Sequence, residues 1–95
     1  MQVARTTEIT IDTTVDLKVA EKIVSRIRAA MQNNIETIVI RFEQDPLIHS
    51  AEFLAFLATC YEYQKEHNGK LIVQGIHGKN AALFEISKLD HLLER

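Results

Sequence analysis

The sequence has very little of what marks a disulfide-rich, zinc-binding or membrane-spanning protein. Cys60 is its only cysteine, which excludes an internal disulfide framework and a four-cysteine zinc site and is typical of a reducing compartment. No apolar run approaches the roughly 20 residues that a membrane-spanning helix needs. The opening segment MQVARTTEITID lacks the apolar core of a signal peptide. We therefore expect a cytoplasmic protein that does not insert into the membrane.

Lysine and arginine are not in excess either. The chain carries 11 of them against 13 aspartates and glutamates, which gives a formal net charge of −2 with histidine neutral. Nucleic-acid-binding domains usually present a basic surface to the phosphates, so no nucleic-acid partner is expected. The four histidines share no metal-ligand spacing. No metal or other cofactor is predicted.

Glycine and proline are scarce, which leaves no flexible linker. Pro46 is the only proline and there are three glycines, so we expect one domain over residues 1–95. An apolar fraction of 46% with 25% charged residues is typical of a folded domain.

Hydrophobic periodicity predicts alternating strands and helices. Period-two alternation and β-branched runs indicate strands, and apolar residues at three- and four-residue spacing indicate helices. The order β-α-β-α-β-α predicts an α/β layer on a largely parallel sheet. The predicted elements are strands over 7–13, 37–42 and 70–76, and helices from Asp16 to the asparagines at 33–34, over 50–67 and over 79–93.

Three details of these elements are predicted more closely. The strands TIVIRF (37–42) and KLIVQGI (70–76) lack alternation, which is typical of strands covered on both faces. Gly69 is expected to be the C′ residue that ends the second helix. The third helix is expected to bury one stripe, made of Ala82, Leu83, Ile86, Leu89 and Leu93.

The segment LIHSAEFLAFLATCYEY (47–63) places Ser50 where the second helix begins. One interpretation is an N-cap, which is worth about 1 kcal/mol over alanine. The other is a solvent-facing hydroxyl that can be phosphorylated, because a helix N-terminus offers free N–H groups and the positive end of the helix dipole to a phosphate. The local sequence is compatible with both.

The second helix also has more apolar residues than one buried stripe requires. A stripe of Leu54, Leu57, Ala58 and Tyr61 can seat the helix on the sheet, and four more apolar residues lie beside it: Phe53, Phe56, Cys60 and Tyr63. Some of these are expected to form an exposed patch beside Ser50, a feature that often marks a protein contact. The alternative is that the third helix covers them.

No arrangement of residues predicts a catalytic site. A hydrolase brings a nucleophile, a base and an oxyanion site together in space, whereas His49 and Ser50 are sequence neighbours. Cys60 lies among apolar residues of the second helix, where inert packing is expected. The segment GIHGKN (75–80) lacks the spacing of a P-loop and predicts a strand-to-helix turn.

The order and spacing of these segments resemble the STAS domain, the family of sulphate transporters and anti-sigma-factor antagonists. That family has a hydrophobic strand, then an isoleucine followed by Asp, Ser or Thr, a small residue and Gly at the start of a leucine-rich helix. TIVIRF, Ile48 and Ser50 occupy corresponding places here. The strand KLIVQGI and the LDHL sequence at 89–92 are similar to the family's later elements, and TTVDLKVAEKI (13–23) resembles its first motif, ending on Asp16. The resemblance extends over residues 9–93.

The resemblance implies a STAS-like α/β layer of about four mostly parallel strands with three flanking helices. The chain stops at Arg95, where many members add a strand and a helix, so the prediction allows for their absence. It also implies a non-catalytic module of a partner-switching pathway that binds an anti-sigma-type serine kinase and releases it once Ser50 is phosphorylated, with a phosphatase as a further candidate partner. The resemblance places the 13–16 turn near this serine. The residues implied in partner binding are Asp16, Asp45, His49, Ser50, Ala51, Glu52, Phe53 and Phe56.

Three positions depart from the family pattern. His49 replaces the usual Asp, Glu52 the usual Gly, and Thr13 the Gly of the first motif. A carboxylate beside the acceptor makes a second negative charge less favourable. The alternative function is a constitutive accessory subunit, as in the small STAS components of lipid-transport ABC complexes, in which Ser50 is only an N-cap.

Overall fold

Strands and helices alternate along the chain in the computed structural model, which describes residues 5–94. Residues 1–4, which begin the segment predicted not to be a signal peptide, and Arg95 lie outside that range. β2 lies between β1 and β3, and both neighbouring pairs are parallel. The described elements are β1 (Thr6–Ile11), α1 (Leu17–Gln32), β2 (Thr37–Phe42), α2 (Ala51–Glu66), β3 (Lys70–Gln74), α3 (Gly78–Ile86) and a short 3₁₀ helix (Asp90–Leu92). The predicted α/β architecture is confirmed.

The sheet buries only one of its faces against the rest of the described chain. Ile9, Ile40 and Val73 are register partners across the three strands, and all three are buried. On the opposite face Val39 and Ile72 are register partners and neither is fully buried. The prediction that β2 and β3 are covered on both faces is wrong, because β-branched residues also occupy half-exposed positions between polar neighbours on the open face.

Within residues 5–94 the sheet has three strands, where about four were predicted. After the 3₁₀ helix the chain adds a single bridge to the sheet, in which Leu93 pairs with Val73 in parallel orientation. The Glu94 N–H donates to the Val73 carbonyl oxygen at 2.8 Å, and the Gln74 amide donates to the Glu94 carboxylate at 3.0 Å. The described chain therefore ends beside β3, at the edge where a further strand would add.

The first helix follows its predicted bounds. The Asp16 carboxylate accepts from the Val19 N–H at 2.9 Å and caps the first turn. Asn33 caps the other end, and Asn34 takes the left-handed conformation at φ 57° that stops the helix. The face turned toward the sheet is apolar and buried, with Ala20, Ile23, Ile27 and Ala30.

The second helix follows its predicted bounds, with Ser50 and His67 as its caps, but the left-handed residue after it is not the predicted one. Asn68, at φ 61°, takes the left-handed position expected of Gly69, and asparagine tolerates that conformation well. Gly69 is required for a close approach instead. A Cβ atom there would lie 2.6 Å from the Glu36 carbonyl oxygen and 2.9 Å from Nε2 of Gln64.

The third helix is shorter than predicted. It ends at Ile86, Lys88 takes a left-handed conformation at φ 59°, and the Leu89 N–H donates back to the Phe84 carbonyl oxygen at 2.7 Å. This reversal turns Leu89 into the core. The predicted single stripe is therefore wrong, and Ile86 is 81% exposed.

A buried glutamine closes the end of the fold where α1 and α2 finish. Gln64 is 2% exposed, and its amide nitrogen lies within hydrogen-bonding distance of three carbonyl oxygens, those of Ile35 (3.0 Å), Glu36 (3.2 Å) and Lys70 (3.3 Å). It joins α2 to the connection before β2 and to the start of β3. Among the described residues no helix has the length and apolarity needed to cross a bilayer.

Candidate functional site

The starts of α1 and α2 lie side by side at the carboxyl edge of the sheet. The Val15 N–H donates to the Leu47 carbonyl oxygen, and the His49 N–H donates to the Val15 carbonyl oxygen, both at 2.8 Å. These bonds form a parallel bridge between Val15 and Ile48. The 13–16 turn is therefore next to Ser50, as the family resemblance implied. We name residues 13–17 and 45–53 together the Ser50 edge.

Ser50 is a buried N-cap. Its Oγ accepts from the Phe53 N–H at 3.2 Å and donates to Oε2 of Glu52 at 3.4 Å. The residue is only 5% exposed. The expectation that this hydroxyl faces solvent is wrong, because the capping geometry folds it back over the first turn of α2. The N-cap interpretation of the local sequence is confirmed.

A groove between α1 and α2 opens beside this serine. It has a volume of about 530 Å³. The Ser50 end is lined by two carboxylates, Glu21 and Glu52. Farther along α2, the Arg28 guanidinium lies 5.2 Å from the centre of the Phe56 ring. Its apolar walls come from residues that include Leu17, Val24 and Phe56.

The apolar surplus of α2 is mostly covered. Phe53 and Cys60 are fully buried, and the Phe53 ring meets Phe42 edge-on at 6.4 Å. Phe56 remains half-buried in the groove, and Tyr61 contacts His91 near the 3₁₀ helix with ring centres 4.7 Å apart. The predicted exposed patch along α2 is therefore reduced to Phe56 and its neighbours, with α1 covering one side and the segment after α3 contacting the other.

Two leucines that sequence reasoning missed give the Ser50 edge an apolar surface. Leu17 is 58% exposed and Leu47 is 52% exposed. Leu17 is two residues after Val15 and Leu47 is directly before Ile48, and the Val15–Ile48 bridge joins these two segments. The sequence contained a signal for both leucines. Leu17 falls outside the apolar stripe of α1. Leu47 and Ile48 are consecutive, and an extended segment points consecutive side chains to opposite faces, so only one of these two can be buried.

The remaining predicted contact residues also lie on this edge or on the adjoining groove. Asp45 accepts hydrogen bonds at its Oδ1 from the Asn80 amide at 2.9 Å and from the His77 N–H at 3.4 Å. Exposed side chains on the edge belong to Asp16, Asp45, His49, Ala51 and Glu52, while Phe53 is part of the core. Phe53 can therefore support a partner surface only through its backbone and by packing.

Cys60 has the environment of a packed core residue. Burial raises the pKa of its thiol to about 12, because the thiolate would lose its hydration. The thiol donates to the Met31 sulfur at 3.5 Å. Inert packing is the role that the sequence predicted for it. Within residues 5–94, no three or more His, Cys, Asp or Glu side chains come together in a way that could hold a metal ion.

The whole described fold has counterparts among solved structures. The unphosphorylated form of the anti-sigma factor antagonist SpoIIAA superposes with a TM-score of 0.78 over 99% of this chain and 82% of its own, at 17% sequence identity. The chain has the STAS fold. The phosphorylated form of SpoIIAA, a Bacillus cell fate determinant, superposes with a TM-score of 0.72 over 99% of this chain and 85% of its own, at 18% identity. No family model and no curated protein sequence matches the chain.

These likenesses confirm the STAS resemblance at the level of fold and the α/β fold class. The sequence identities are low, so the roles of individual residues in this STAS-fold chain rest on its own geometry.

Asp16→Ala is expected to lower the free energy of unfolding by about 0.5–2 kcal/mol, because the Val19 N–H would lose its capping acceptor. Urea denaturation measures the change. Asp12→Ala is the matched control, since Asp12 is an exposed aspartate just before the same turn. Equal losses in the two variants would contradict a specific capping role for Asp16.

Proposed function

We propose that this chain is a non-catalytic regulatory module of a cytoplasmic partner-switching pathway. Its Ser50 edge binds an anti-sigma-type serine kinase, and phosphorylation of Ser50 releases that partner until a phosphatase removes the phosphate. The observation that carries the proposal is the position of Ser50, at the start of α2 on the same edge as the exposed Leu17 and Leu47, in a fold shared with the anti-sigma factor antagonist SpoIIAA. Solved forms of that protein include a phosphorylated one.

The composition of the Ser50 edge supports a protein partner. Exposed leucines next to a groove bury apolar area when a partner covers them. Leu17 and Leu47 supply that area, and the polar side chains of Asp16, His49 and Glu52 surround it. An apolar centre with a polar rim is the usual anatomy of a protein–protein interface. Under this proposal Asp16→Ala also lowers partner affinity by more than its loss of folded protein accounts for.

The environment of Ser50 gives phosphorylation a physical consequence. A phosphate adds about −1.5 to −2 charges and occupies space in the groove that Ser50 lines. It also stands beside the Glu52 carboxylate, whose Oε2 is 3.4 Å from the serine Oγ. The free N–H groups at the start of α2 can still donate hydrogen bonds to a phosphate oxygen. Phosphorylation therefore changes the charge and shape of the edge while leaving the helix start satisfied.

Phosphate transfer is tested with an anti-sigma-type serine kinase from the same organism, ATP and Mg²⁺, followed by intact mass spectrometry. Wild-type protein is expected to gain one phosphate and Ser50→Ala none. Ser87→Ala is the matched control, since Ser87 is a second serine next to a helix terminus, in its case the end of α3. A phosphate that persists in Ser50→Ala, or no phosphate on wild type, would remove Ser50 as the acceptor.

A second candidate function rests on the same hydroxyl. Both hydrogen-bonding capacities of Ser50 are in use within the chain, and the residue is 5% exposed, as a purely structural cap requires. This favours a constitutive STAS subunit of an ABC-type lipid transport complex. Gene neighbours separate the two functions, because a kinase or phosphatase gene favours the switch and a transporter operon favours the subunit.

A further inference from the structure

The loop between β2 and the Ser50 edge has an unfavourable backbone. Gln44 and Asp45 are consecutive residues with positive φ, at 62° and 46°. Residues with a Cβ atom rarely adopt this left-handed conformation, and two in succession are rarer. Such a segment keeps its conformation only when contacts from elsewhere in the fold hold it.

Asn80, in the first turn of α3, supplies those contacts. Its side chain amide donates to Oδ1 of Asp45 at 2.9 Å and to the Pro46 carbonyl oxygen at 2.6 Å. Asn80 is 5% exposed, so its amide has little access to water and leaving its hydrogen bonds unmade is costly. The His77 N–H adds a longer bond to the same Asp45 oxygen, at 3.4 Å.

The held segment continues directly into the bridge of the Ser50 edge. Leu47 follows Pro46, and its carbonyl oxygen accepts from the Val15 N–H at 2.8 Å. Two residues later, the His49 N–H donates to Val15 at the same distance. The placement of Leu47 and His49 therefore depends on where Asn80 fixes Asp45 and Pro46.

We propose that Asn80 is a positioning residue for the Ser50 edge. Its amide holds the 44–46 turn in its left-handed conformation, and so presents Leu47 and His49 in the bridge with Val15. Loss of the amide releases the turn and opens the bridge, while the opposite end of the fold stays closed. This inference rests on the proposed function only in that the Ser50 edge binds a partner.

Gln64 offers a matched comparison within the same chain. It is also a buried side chain amide that donates to backbone carbonyl oxygens, but it lies at the other end of α2, against Ile35, Glu36 and Lys70. If buried amides merely stabilise the whole fold, Asn80→Ala and Gln64→Ala will have the same distribution of effects along the chain. If each amide positions only the end of the fold that it contacts, Asn80→Ala will affect the Ser50 edge and Gln64→Ala will affect the opposite end.

Amide hydrogen exchange measured by NMR distinguishes these two outcomes. In Asn80→Ala we expect exchange at Val15 and His49 to accelerate about tenfold more than at Gly69 and Lys70, because a local opening exposes only the released segment. Gln64→Ala is expected to give the reverse pattern. Uniform acceleration in Asn80→Ala, or unchanged exchange at Val15 and His49, would overturn the proposal.

Asp45→Ala provides a second route to the same answer if Asn80→Ala does not fold. Asp45 is exposed, so its replacement removes one of the two acceptors of the Asn80 amide, and the acceptor of the His77 N–H, without opening a cavity. The expected result is again faster exchange at Val15 and His49 only, and a uniform or absent change would overturn the proposal. Neither measurement uses a partner. Failure of the kinase to bind would therefore count against the proposed function alone, and the exchange pattern would still decide the role of Asn80.

Discussion

Ser50→Asp is expected to weaken binding of the kinase partner about 100-fold while the protein stays folded. Aspartate is among the best N-cap residues, so the Phe53 N–H keeps an acceptor and α2 keeps its start. The new carboxylate places a negative charge beside the Glu52 carboxylate and in the groove that Ser50 lines. Uncompensated or like charges in an interface cost several kcal/mol, and about 2.7 kcal/mol corresponds to 100-fold.

Two further variants make this result interpretable. Ser50→Ala removes the cap at a cost of about 1 kcal/mol in stability and is expected to bind the partner with near wild-type affinity once the folded fraction is taken into account. Thr59→Asp adds the same charge at an exposed position of the same helix, away from its start, and should also bind normally. Isothermal titration calorimetry gives the three affinities. Equal binding by Ser50→Asp and wild type would contradict the switch and leave Ser50 as a cap in a constitutive subunit.

The parts of the structure that sequence reasoning predicted well depend on local rules. Asp16 and Ser50 were predicted at helix starts because a capping side chain bonds to a backbone N–H three residues later. The first strand and the first helix followed from apolar periodicity, which reports how one element meets a core, and the other two strands followed from β-branched runs. Ile9, Ile23 and Ile40 belong to these patterns, and all three are buried.

The parts that were missed depend on contacts between distant segments. Asn80 bonds to residues 34 and 35 positions away, and Gln64 to residues 28 and 29 positions away, and no local pattern marks either side chain as buried. The same holds for Ser50, which lies where α1 and α2 meet at one end of the groove, so that its burial depends on the packing of two helices as well as on its own turn. Exposure is a property of the assembled fold. The Ser50 hydroxyl was therefore predicted to face solvent, whereas the structure covers it.

The predicted end of α3 was wrong for a different physical reason. The apolar spacing from Ala82 to Leu93 is compatible with one long helix, but a left-handed Lys88 breaks the helix before Leu89, and Leu89 and Leu92 then pack into the core. Lysine has no special preference for the left-handed conformation, so the sequence does not indicate that the helix ends before this residue. Tertiary packing of two leucines outweighs the local helix preference.

Gly75→Ala is expected to lower the free energy of unfolding by about 3–5 kcal/mol, which is enough to unfold a chain of marginal stability. Gly75 directly follows β3 and has φ at 80°, and any Cβ atom there would overlap the carbonyl oxygen of Phe42. Conformational strain and overpacking each contribute about 1–3 kcal/mol. Because Phe42 leads into the 43–46 loop, the shift that relieves the overlap also displaces the approach to the Ser50 edge.

Gly78→Ala separates the steric part of this effect from the conformational part. Gly78 also has a positive φ, at 51°, but a Cβ atom there would meet only the Asp45 carboxylate, at 3.9 Å. Its replacement should therefore cost about 1 kcal/mol, the price of the left-handed conformation alone. Urea denaturation of both variants gives the comparison, with circular dichroism as the probe. Similar losses at the two glycines would mean that the contact with Phe42 relaxes at little cost, and that β2 and β3 are less rigidly joined at the edge that carries Ser50.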